Sequence, residues 1–199
     1  MKNLILCAGK GERLRPLTLK TPKPLVEVNG IKLIDYNLNL LHNFNFDDIV
    51  VNVSYLADQI IDYLGESVIY SYEKEPLGTA GAMYKLRNWF DSNFMVVNGD
   101  TIHVLNLDRM LEQHLRTGAV VTVFTKDTAI HNGGVFMFNY RVFMYWQPWF
   151  KSIHEDLLPQ LTFDGLVGLY GNDDEYYFDI GTPEKLKIAQ EALNEGKKH

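Results

Sequence analysis

Two glycines and three cations near the start of the chain have types and spacing that suit phosphate binding. Gly9 and Gly11 directly follow the first apolar run, and glycine lets backbone N–H groups approach phosphate oxygens closely. Arg13, Arg15 and Lys23 lie in one proline-containing segment, where arginine can bind phosphate bidentately and lysine supplies a point charge. The glycines match neither a P-loop nor a dinucleotide-binding fingerprint, and alone they indicate only a tight turn. Together with the cations they predict a loop that holds a triphosphate.

Two aspartates are the next candidates for chemistry. Asp100 follows the apolar run 94–97 and the residues Asn98 and Gly99, so it would reach the ligand crevice at the carboxyl end of a parallel strand. Asp179 follows a second short apolar stretch, just before a helix-like segment. An Asn-Gly-Asp turn and a helix-capping aspartate would also explain the two positions. As a pair they would suit Mg²⁺, which prefers oxygen ligands and keeps substrate phosphates in its shell.

Apolar runs and segments of helical period alternate along the chain, and this order would position the candidate residues. It predicts an α/β fold with a mostly parallel sheet and helices on both faces. Thr182 is expected to cap the last helix, with Pro183 at its first position. No linker or repeat is visible, so residues 1–199 are expected to form a single domain. Strands are predicted at 4–7, 49–53, 68–72, 94–97, 119–124 and 134–138, helices at 31–41, 56–64, 80–89, 107–115 and 183–193, and no clear element at 137–163.

The composition argues against several classes of protein. The chain has 46% hydrophobic and 22% charged residues, which is ordinary for a soluble globular protein, and no apolar run approaches transmembrane length. A net charge of -6 without any basic run argues against a nucleic-acid partner. The single cysteine, Cys7, excludes an internal disulfide and fits a cytoplasmic location. The aromatic run 145–150 would suit the core or a subunit contact, which leaves a homo-oligomer open.

The segment 6–18, followed by 21–25, resembles the signature of the sugar-1-phosphate nucleotidyltransferases. The resemblance covers nearly the whole chain and implies a Rossmann-like fold, a Mg²⁺ cofactor, and a nucleoside triphosphate and a small phosphorylated acceptor as substrates. It implies that Arg13 and Lys23 contact the nucleotide phosphates and the sugar phosphate. It also implies that Asp100 and Asp179 hold the metal, and that Arg13, Lys23 and Asp100 are catalytic. The acceptor phosphate is itself the nucleophile, so catalysis would rest on positioning and charge stabilisation.

A further block, 73–82, resembles the family's segment that wraps the nucleoside base. The sequence of this block is most similar to that of members that use GTP, including mannose- and heptose-1-phosphate guanylyltransferases. A carboxylate there could accept hydrogen bonds from guanine N1–H and its amino group. With the glycine loop included, the resemblance implies nucleotide contacts at Ala8, Gly9, Gly11, Arg13, Glu75, Pro76, Gly78, Thr79 and Asn98.

The strand that begins Asn132-Gly133-Gly134 resembles the family's acceptor-lining strand, so these residues and Lys23 are expected to bind the acceptor. Family members place a β-hairpin and a Glu-Lys pair before this strand, whereas here 126–131 join two strands almost directly. A phosphorylated amino alcohol as acceptor, a sugar phosphate held by fewer contacts, and a partly disabled enzyme are all consistent with this departure.

Guanylyl transfer to a sugar 1-phosphate, with release of pyrophosphate and formation of a nucleoside-diphosphate sugar, is the leading hypothesis. The alternatives are a cytidylyl- or other nucleotidyltransferase acting on a small non-sugar phosphate, and a nucleotide-binding regulatory domain without catalysis. A glycosyltransferase of similar fold is disfavoured, because the arginine-lysine loop suits a triphosphate.

Overall fold

The structure is a computed structural model that describes residues 1–126 and 132–196. Its strands are β1 (Lys2–Leu6), β2 (Glu27–Val28), β3 (Ile31–Lys32), β4 (Asp48–Val53), β5 (Ile69–Tyr72), β6 (Asn93–Asn98), β7 (Thr101–Val104), β8 (Val121–Thr125), β9 (Asn132–Asn139), β10 (Val167–Tyr170) and β11 (Tyr176–Asp179). Its helices are α1 (Leu33–Asn43), α2 (Ala57–Leu64), α3 (Gly78–Lys85), α4 (Leu107–Thr117), α5 (Leu158–Phe163) and α6 (Pro183–Gly196). Short 3₁₀ segments cover Glu12–Leu14, Leu17–Leu19, Lys23–Leu25 and Tyr140–Tyr145, and one π-helical turn, Ile153–Leu157, leads into α5.

Seven strands form the central sheet in the order β10-β8-β9-β6-β1-β4-β5. The pairs β1–β4, β1–β6, β4–β5 and β8–β10 are parallel. Strand β9 runs antiparallel to both of its neighbours, β6 and β8. The prediction of a mostly parallel sheet is therefore confirmed.

Helices cover both faces of this sheet, as predicted. The sheet separates two hydrophobic cores. Leu4 and Ile5, successive residues of β1, are both fully buried but belong to different cores. The core of Ile5 includes apolar residues of α1, α2 and α4, and the core of Leu4 includes those of α3 and α5. Each fully buried leucine or isoleucine contributes about 1.5–3 kcal/mol, so the two layers hold the strand ends in fixed positions.

The ends of two helices are defined by local hydrogen bonds. Asn106 Oδ1 accepts a 3.0 Å hydrogen bond from the backbone N–H of Arg109 at the start of α4. Thr182 Oγ1 accepts one of 3.3 Å from the N–H of Lys185, so the predicted cap of α6 is confirmed. Among the described helices, none combines the length and the apolar character needed to cross a bilayer.

Several short paired strands were missed by the sequence patterns. Strand β2 pairs with β3, and β7 pairs with β11, and runs of two to four residues are too short to show a period. The helix predicted at 31–41 begins at Leu33, because Ile31–Lys32 are paired with β2. The helix predicted at 80–89 is α3, which begins and ends earlier. Region 137–163 contains the last three residues of β9, a 3₁₀ segment, the π-helical turn and α5.

The buried His114 on α4 links the stability of the fold to pH. Its Nδ1 lies 2.9 Å from Thr122 Oγ1, and burial, helped by the Arg141 guanidinium, lowers its pKa from 6.5 to about 4. Between these pH values the unfolded chain binds a proton that the folded protein does not, so the free energy of unfolding falls as the pH drops. We expect this group to account for a loss of about 3 kcal/mol between pH 7 and pH 4.

Urea unfolding of wild type and of His114→Gln at several pH values measures this contribution. The glutamine can keep a hydrogen bond to Thr122 but does not titrate, so its free energy of unfolding should depend less on pH. The same pH dependence in both proteins would show that the His114 imidazole is not held neutral by the fold.

Candidate functional site

The candidate site lies where β1 and β6 end side by side, with Leu6 paired to Asn98. The chain passes from β1 to β4 and β5 on one side before it returns to β6 on the other. Such switch points at the carboxyl edge of an open α/β sheet form ligand crevices. Gly99 lets the strand ends touch, because a Cβ atom there would lie 2.6 Å from Cys7 Sγ and 2.7 Å from the Leu6 carbonyl oxygen.

Three cavities open to solvent at this edge, and Asp100 lines all of them. The first, about 560 Å³, lies beside the segment that follows β5, and we call it the Pro76 cavity. The second, about 730 Å³, lies under the loop that follows β1, and we call it the Lys23 cavity. The third, about 930 Å³, lies beside β11, and we call it the Lys185 cavity. Asp100 is therefore a common wall of three spaces that could hold different parts of one reacting complex.

The polar wall of the Pro76 cavity is a buried pair formed by Asn52 and Glu73. Asn52 Oδ1 accepts a 2.7 Å hydrogen bond from the Cys7 backbone N–H, and its Nδ2 donates to Glu73 Oε1 at 2.9 Å. Glu73 Oε2 accepts a 2.9 Å hydrogen bond from the Leu77 N–H. These contacts fix the start of the glycine loop relative to the segment that enters α3.

Most of the predicted nucleotide residues line this cavity, but Glu75 does not. Glu75 is exposed and lines none of the three cavities, whereas Glu73 is only 3% exposed and does line one. Glu73 continues the inward side of β5, because Ser71 and Glu73 are buried while Tyr72 between them is exposed. Glu73, and not Glu75, is therefore the glutamate that lines the Pro76 cavity. The predicted residues that do line the Pro76 cavity are Ala8, Gly9, Pro76, Gly78, Thr79 and Asn98.

Sequence reasoning also missed Asn52. Its signal was a single amide in the otherwise apolar run 49–53. The predicted contact Thr79 has a further role, because its Oγ1 accepts a 2.8 Å hydrogen bond from the Ile153 N–H and so attaches α3 to the π-helical turn.

The loop after β1 folds around Gly11, which adopts a positive φ of 60°. A Cβ atom at Gly11 would lie 3.0 Å from Thr18 Cγ2, and the Thr18 hydroxyl donates a 2.7 Å hydrogen bond to the Gly11 carbonyl. Gly11, Arg13 and Lys23 all line the Lys23 cavity, as does Gly9. Of the three cations in the sequence pattern, Arg15 alone is placed elsewhere, in a 3.3 Å ion pair with the exposed Glu12.

Lys23 and Asp100 form an ion pair at the centre of the site. Lys23 Nζ lies 2.6 Å from Asp100 Oδ2, and the lysine side chain is only 8% exposed. Burial alone would raise the pKa of Asp100, but the Lys23 ammonium and hydrogen bonds from Lys23 and Thr101 hold that pKa below its ordinary value. Asp100 is therefore ionised at neutral pH.

The buried thiol of Cys7 lies beside this pair and is chemically inert. Burial, together with the negative charge of Asp100, raises the pKa of Cys7 well above its usual range. A thiol held in its protonated form is a poor nucleophile, so the site contains no activated cysteine at this position.

Pairing of β7 with β11 brings the second predicted carboxylate to the first. Asp179 lies opposite Thr101 in this antiparallel pair, and the Asp100 carbonyl accepts a 3.1 Å hydrogen bond from the Ile180 N–H. Asp100 and Asp179 both line the Lys185 cavity. Lys185 Nζ lies 2.5 Å from Asp179 Oδ2, so each aspartate has its own lysine.

The first residues of β9 form the opposite side of the Lys185 cavity, where Gly133 and Gly134 line it. A Cβ atom at Gly133 would lie 2.6 Å from a Phe124 ring carbon, and one at Gly134, whose φ is 81°, would lie 3.0 Å from Asn98 Cβ. His103 Nε2 lies 2.7 Å from the Gly133 carbonyl oxygen and holds this backbone in place.

Asn132, the first residue of β9, lies opposite Thr125 of β8. The shortened connection identified in the sequence, after Lys126, falls on 127–131, outside the described residues.

The comparisons with known proteins agree with this geometry. The family model described as nucleotidyl transferase matches residues 2–133. The chain is 29% identical to D-glycero-alpha-D-manno-heptose 1-phosphate guanylyltransferase of Aneurinibacillus thermoaerophilus, across 97% of this chain and 98% of the relative. It is 44% identical to N-acetylmuramate alpha-1-phosphate uridylyltransferase of Neisseria meningitidis, across 51% of this chain and 48% of the relative.

A solved structure of HddC from Yersinia pseudotuberculosis, complexed with GMP-PN, has a TM-score of 0.80 and 26% identity, and the match covers 97% of this chain and all of that chain. The family model spans the glycine loop, Lys23, Asp100 and the first glycine of β9. The chain belongs to the nucleotidyl transferase family.

Proposed function

We propose that this protein transfers a nucleoside monophosphate from GTP to a sugar 1-phosphate, with release of pyrophosphate. The observation that carries the proposal is the position of Asp100, paired with Lys23 on the common wall of the three cavities. The Pro76 cavity has a carboxylate and an amide that suit a base, and the Lys23 cavity has a glycine loop with two cations that suit a triphosphate. The Lys185 cavity has a further cation and two glycines that suit a phosphorylated acceptor.

In the proposed reaction an oxygen of the acceptor phosphate attacks the α-phosphorus of the triphosphate. A new P–O bond forms there, and the bond from the α-phosphorus to the oxygen that bridges to the β-phosphate breaks, so that pyrophosphate leaves with that electron pair. No proton transfer is needed, because the attacking oxygen is already anionic. The protein's contribution is to align the two phosphates and to stabilise the charge that accumulates on them.

Arg13 and Lys23 supply that stabilisation in the proposal. Both line the Lys23 cavity together with the backbone of Gly9 and Gly11, which leaves room for phosphate oxygens close to main-chain N–H groups. Arg13 also lines the Lys185 cavity. Its guanidinium therefore lies between the spaces assigned to the triphosphate and to the acceptor phosphate.

Asp100 and Asp179 are the residues that would hold Mg²⁺. Among the described residues no group of three or more acidic, histidine or cysteine side chains is arranged to bind a metal. Two carboxylates are nevertheless the donor set that Mg²⁺ commonly takes when substrate phosphates and water complete its shell, so the residues fit the ion. Bound there, the ion would neutralise triphosphate charge and favour pyrophosphate departure.

The preference for GTP rests on Glu73. Each of its carboxylate oxygens accepts one hydrogen bond, from Asn52 or from the Leu77 N–H, and each retains a second lone pair. Guanine presents two adjacent donors, N1–H and the amino group, whereas uracil and thymine present one. A rigid, buried carboxylate in the Pro76 cavity therefore favours guanine.

Pyrophosphate release with Mg²⁺ tests the proposal, with GTP, CTP, UTP, dTTP and ATP each combined with sugar 1-phosphates and with phosphocholine and phosphoethanolamine. We expect acceptor-dependent release with GTP and a sugar 1-phosphate, and its loss when EDTA removes the metal. Release confined to CTP and a phosphorylated amino alcohol would favour the alternative acceptor. Absence of release with every pair, while calorimetry still detects GTP binding, would favour a non-catalytic domain.

A further inference from the structure

Lys185 is the further cation at the acceptor side of the site, and the proposed reaction does not yet assign it a contact. It is in the first turn of α6, where the Thr182 cap fixes its backbone. Its Nζ lies 2.5 Å from Asp179 Oδ2, and its half-exposed side chain lines the cavity that contains Gly133 and Gly134. An ammonium group has three donors, so this ion pair leaves two of them for a ligand in the cavity.

The charges around this cavity favour an anionic ligand. Asp100 is paired with Lys23 and Asp179 with Lys185. Arg13 also lines the cavity, and among the described residues it forms no ion pair. The three side chains Arg13, Asp179 and Lys185 meet above Gly181, where a Cβ atom would lie 3.1 Å from Arg13 Nη2 and 3.0 Å from Asp179 Oδ1. Glycine at this position therefore leaves room for the Arg13 and Asp179 side chains.

We infer that Lys185 binds the phosphate of the acceptor, and this inference rests on the proposed function. Asp179 orients the ammonium, and the two remaining donors bind phosphate oxygens, while Arg13 contacts the same phosphate from the nucleotide side. Arg13 and Lys185 place two positive charges at this end of the cavity, which disfavours a cationic amino alcohol. The acceptor class is therefore a phosphate ester whose remaining part is uncharged or acidic, such as a sugar 1-phosphate.

Lys185→Met and Lys185→Arg test the role of the charge, and Lys187→Met is the matched control. Lys187 lies two residues along the same helix, is 77% exposed in its side chain, and pairs only weakly with Glu191 at 3.8 Å. With mannose 1-phosphate as the probe, we expect Lys185→Met to raise the KM for the acceptor by about ten- to a hundredfold. The KM for GTP should stay within about twofold, Lys185→Arg should recover part of the loss, and Lys187→Met should match wild type.

Calorimetric titration of mannose 1-phosphate and of phosphocholine into the GMP-PN-loaded protein separates this inference from the proposed function. Binding of mannose 1-phosphate that Lys185→Met weakens supports the phosphate contact, even if no pyrophosphate is released in any assay. Equal binding by wild type and Lys185→Met, or no binding by wild type, overturns it. A changed Mg²⁺ requirement with an unchanged acceptor KM also overturns it, because Lys185 would then only neutralise Asp179. Tighter binding of phosphocholine than of mannose 1-phosphate overturns the acceptor class.

Discussion

Replacement of Asp100 by asparagine is expected to lower kcat/KM by about a hundred- to a thousandfold, because several kcal/mol of charge stabilisation depend on this carboxylate. Asparagine has nearly the same shape, and its side-chain oxygen can still accept the hydrogen bond from Lys23. What is lost is the negative charge that would hold Mg²⁺ on the common wall of the three cavities. The protein should therefore stay folded while turnover falls.

The measurement is steady-state pyrophosphate release with the best substrate pair, together with thermal melting of each protein. Asp108→Asn is the matched control, because Asp108 is an exposed aspartate on α4, away from the cavities. The control should keep wild-type kinetics. If Asp100→Asn kept undiminished, Mg²⁺-dependent turnover, the metal role assigned to Asp100 would have to be abandoned.

Gly78→Ala is expected to lower the free energy of unfolding by about 2–5 kcal/mol. Gly78 has a φ of 77°, and a Cβ atom there would lie 2.3 Å from the Lys151 carbonyl oxygen. That oxygen accepts a 2.9 Å hydrogen bond from the Ala80 N–H, so it cannot move without loss of a contact at the start of α3. Because Gly78 also lines the Pro76 cavity, affinity for the nucleotide should fall together with stability.

Thermal melting and calorimetric GTP titration check both parts of this prediction. Gly165→Ala is the control, because Gly165 has a similar φ of 69° but no atom within 4 Å of the position of a Cβ. The control therefore measures the cost of backbone strain alone, about 1–2 kcal/mol. If the two variants melted at the same temperature, the proposed clash with Lys151 would be refuted.

The local parts of the site could be predicted from the sequence, because each motif lies within one short segment. The glycine loop with Arg13 and Lys23 follows β1 directly, and Asp100 follows β6, so hydrophobic runs alone placed them at one edge of the sheet. The cap at Thr182 was readable for the same reason. These features depend on residues that are adjacent along the chain, so they can be recognised from the sequence alone.

The remaining parts depend on contacts between distant segments. Asp179 reaches Asp100 through the pairing of β7 with β11, which joins residues more than seventy positions apart in two four-residue strands. Nothing in either strand specifies its partner, so only the family resemblance connected the two aspartates. Lys185 was missed for the same reason, because its importance comes from the cavity that this pairing creates.

Glu73 could have been identified from its own segment of the sequence, but the pattern of that segment was not used. Ser71 and Glu73 are buried while Tyr72 between them is exposed, and the Glu73 N–H donates a 2.8 Å hydrogen bond to the Val53 carbonyl. The family resemblance instead implied Glu75, two residues further along the same block. In the structure the hydrogen bonding to β4 extends to Glu73, one residue beyond the end of β5.

The reversed direction of β9 has a consequence for how this architecture can diversify. A strand that runs against its neighbours brings its first residues, not its last, to the edge where β1 and β6 end. The connection from β8 therefore ends next to Gly133 and Gly134 of the Lys185 cavity, and a change in its length need not shift the register of β9. We therefore expect a longer segment grafted between Thr125 and Asn132 to change the specificity for the acceptor and to leave the specificity for the nucleotide unchanged.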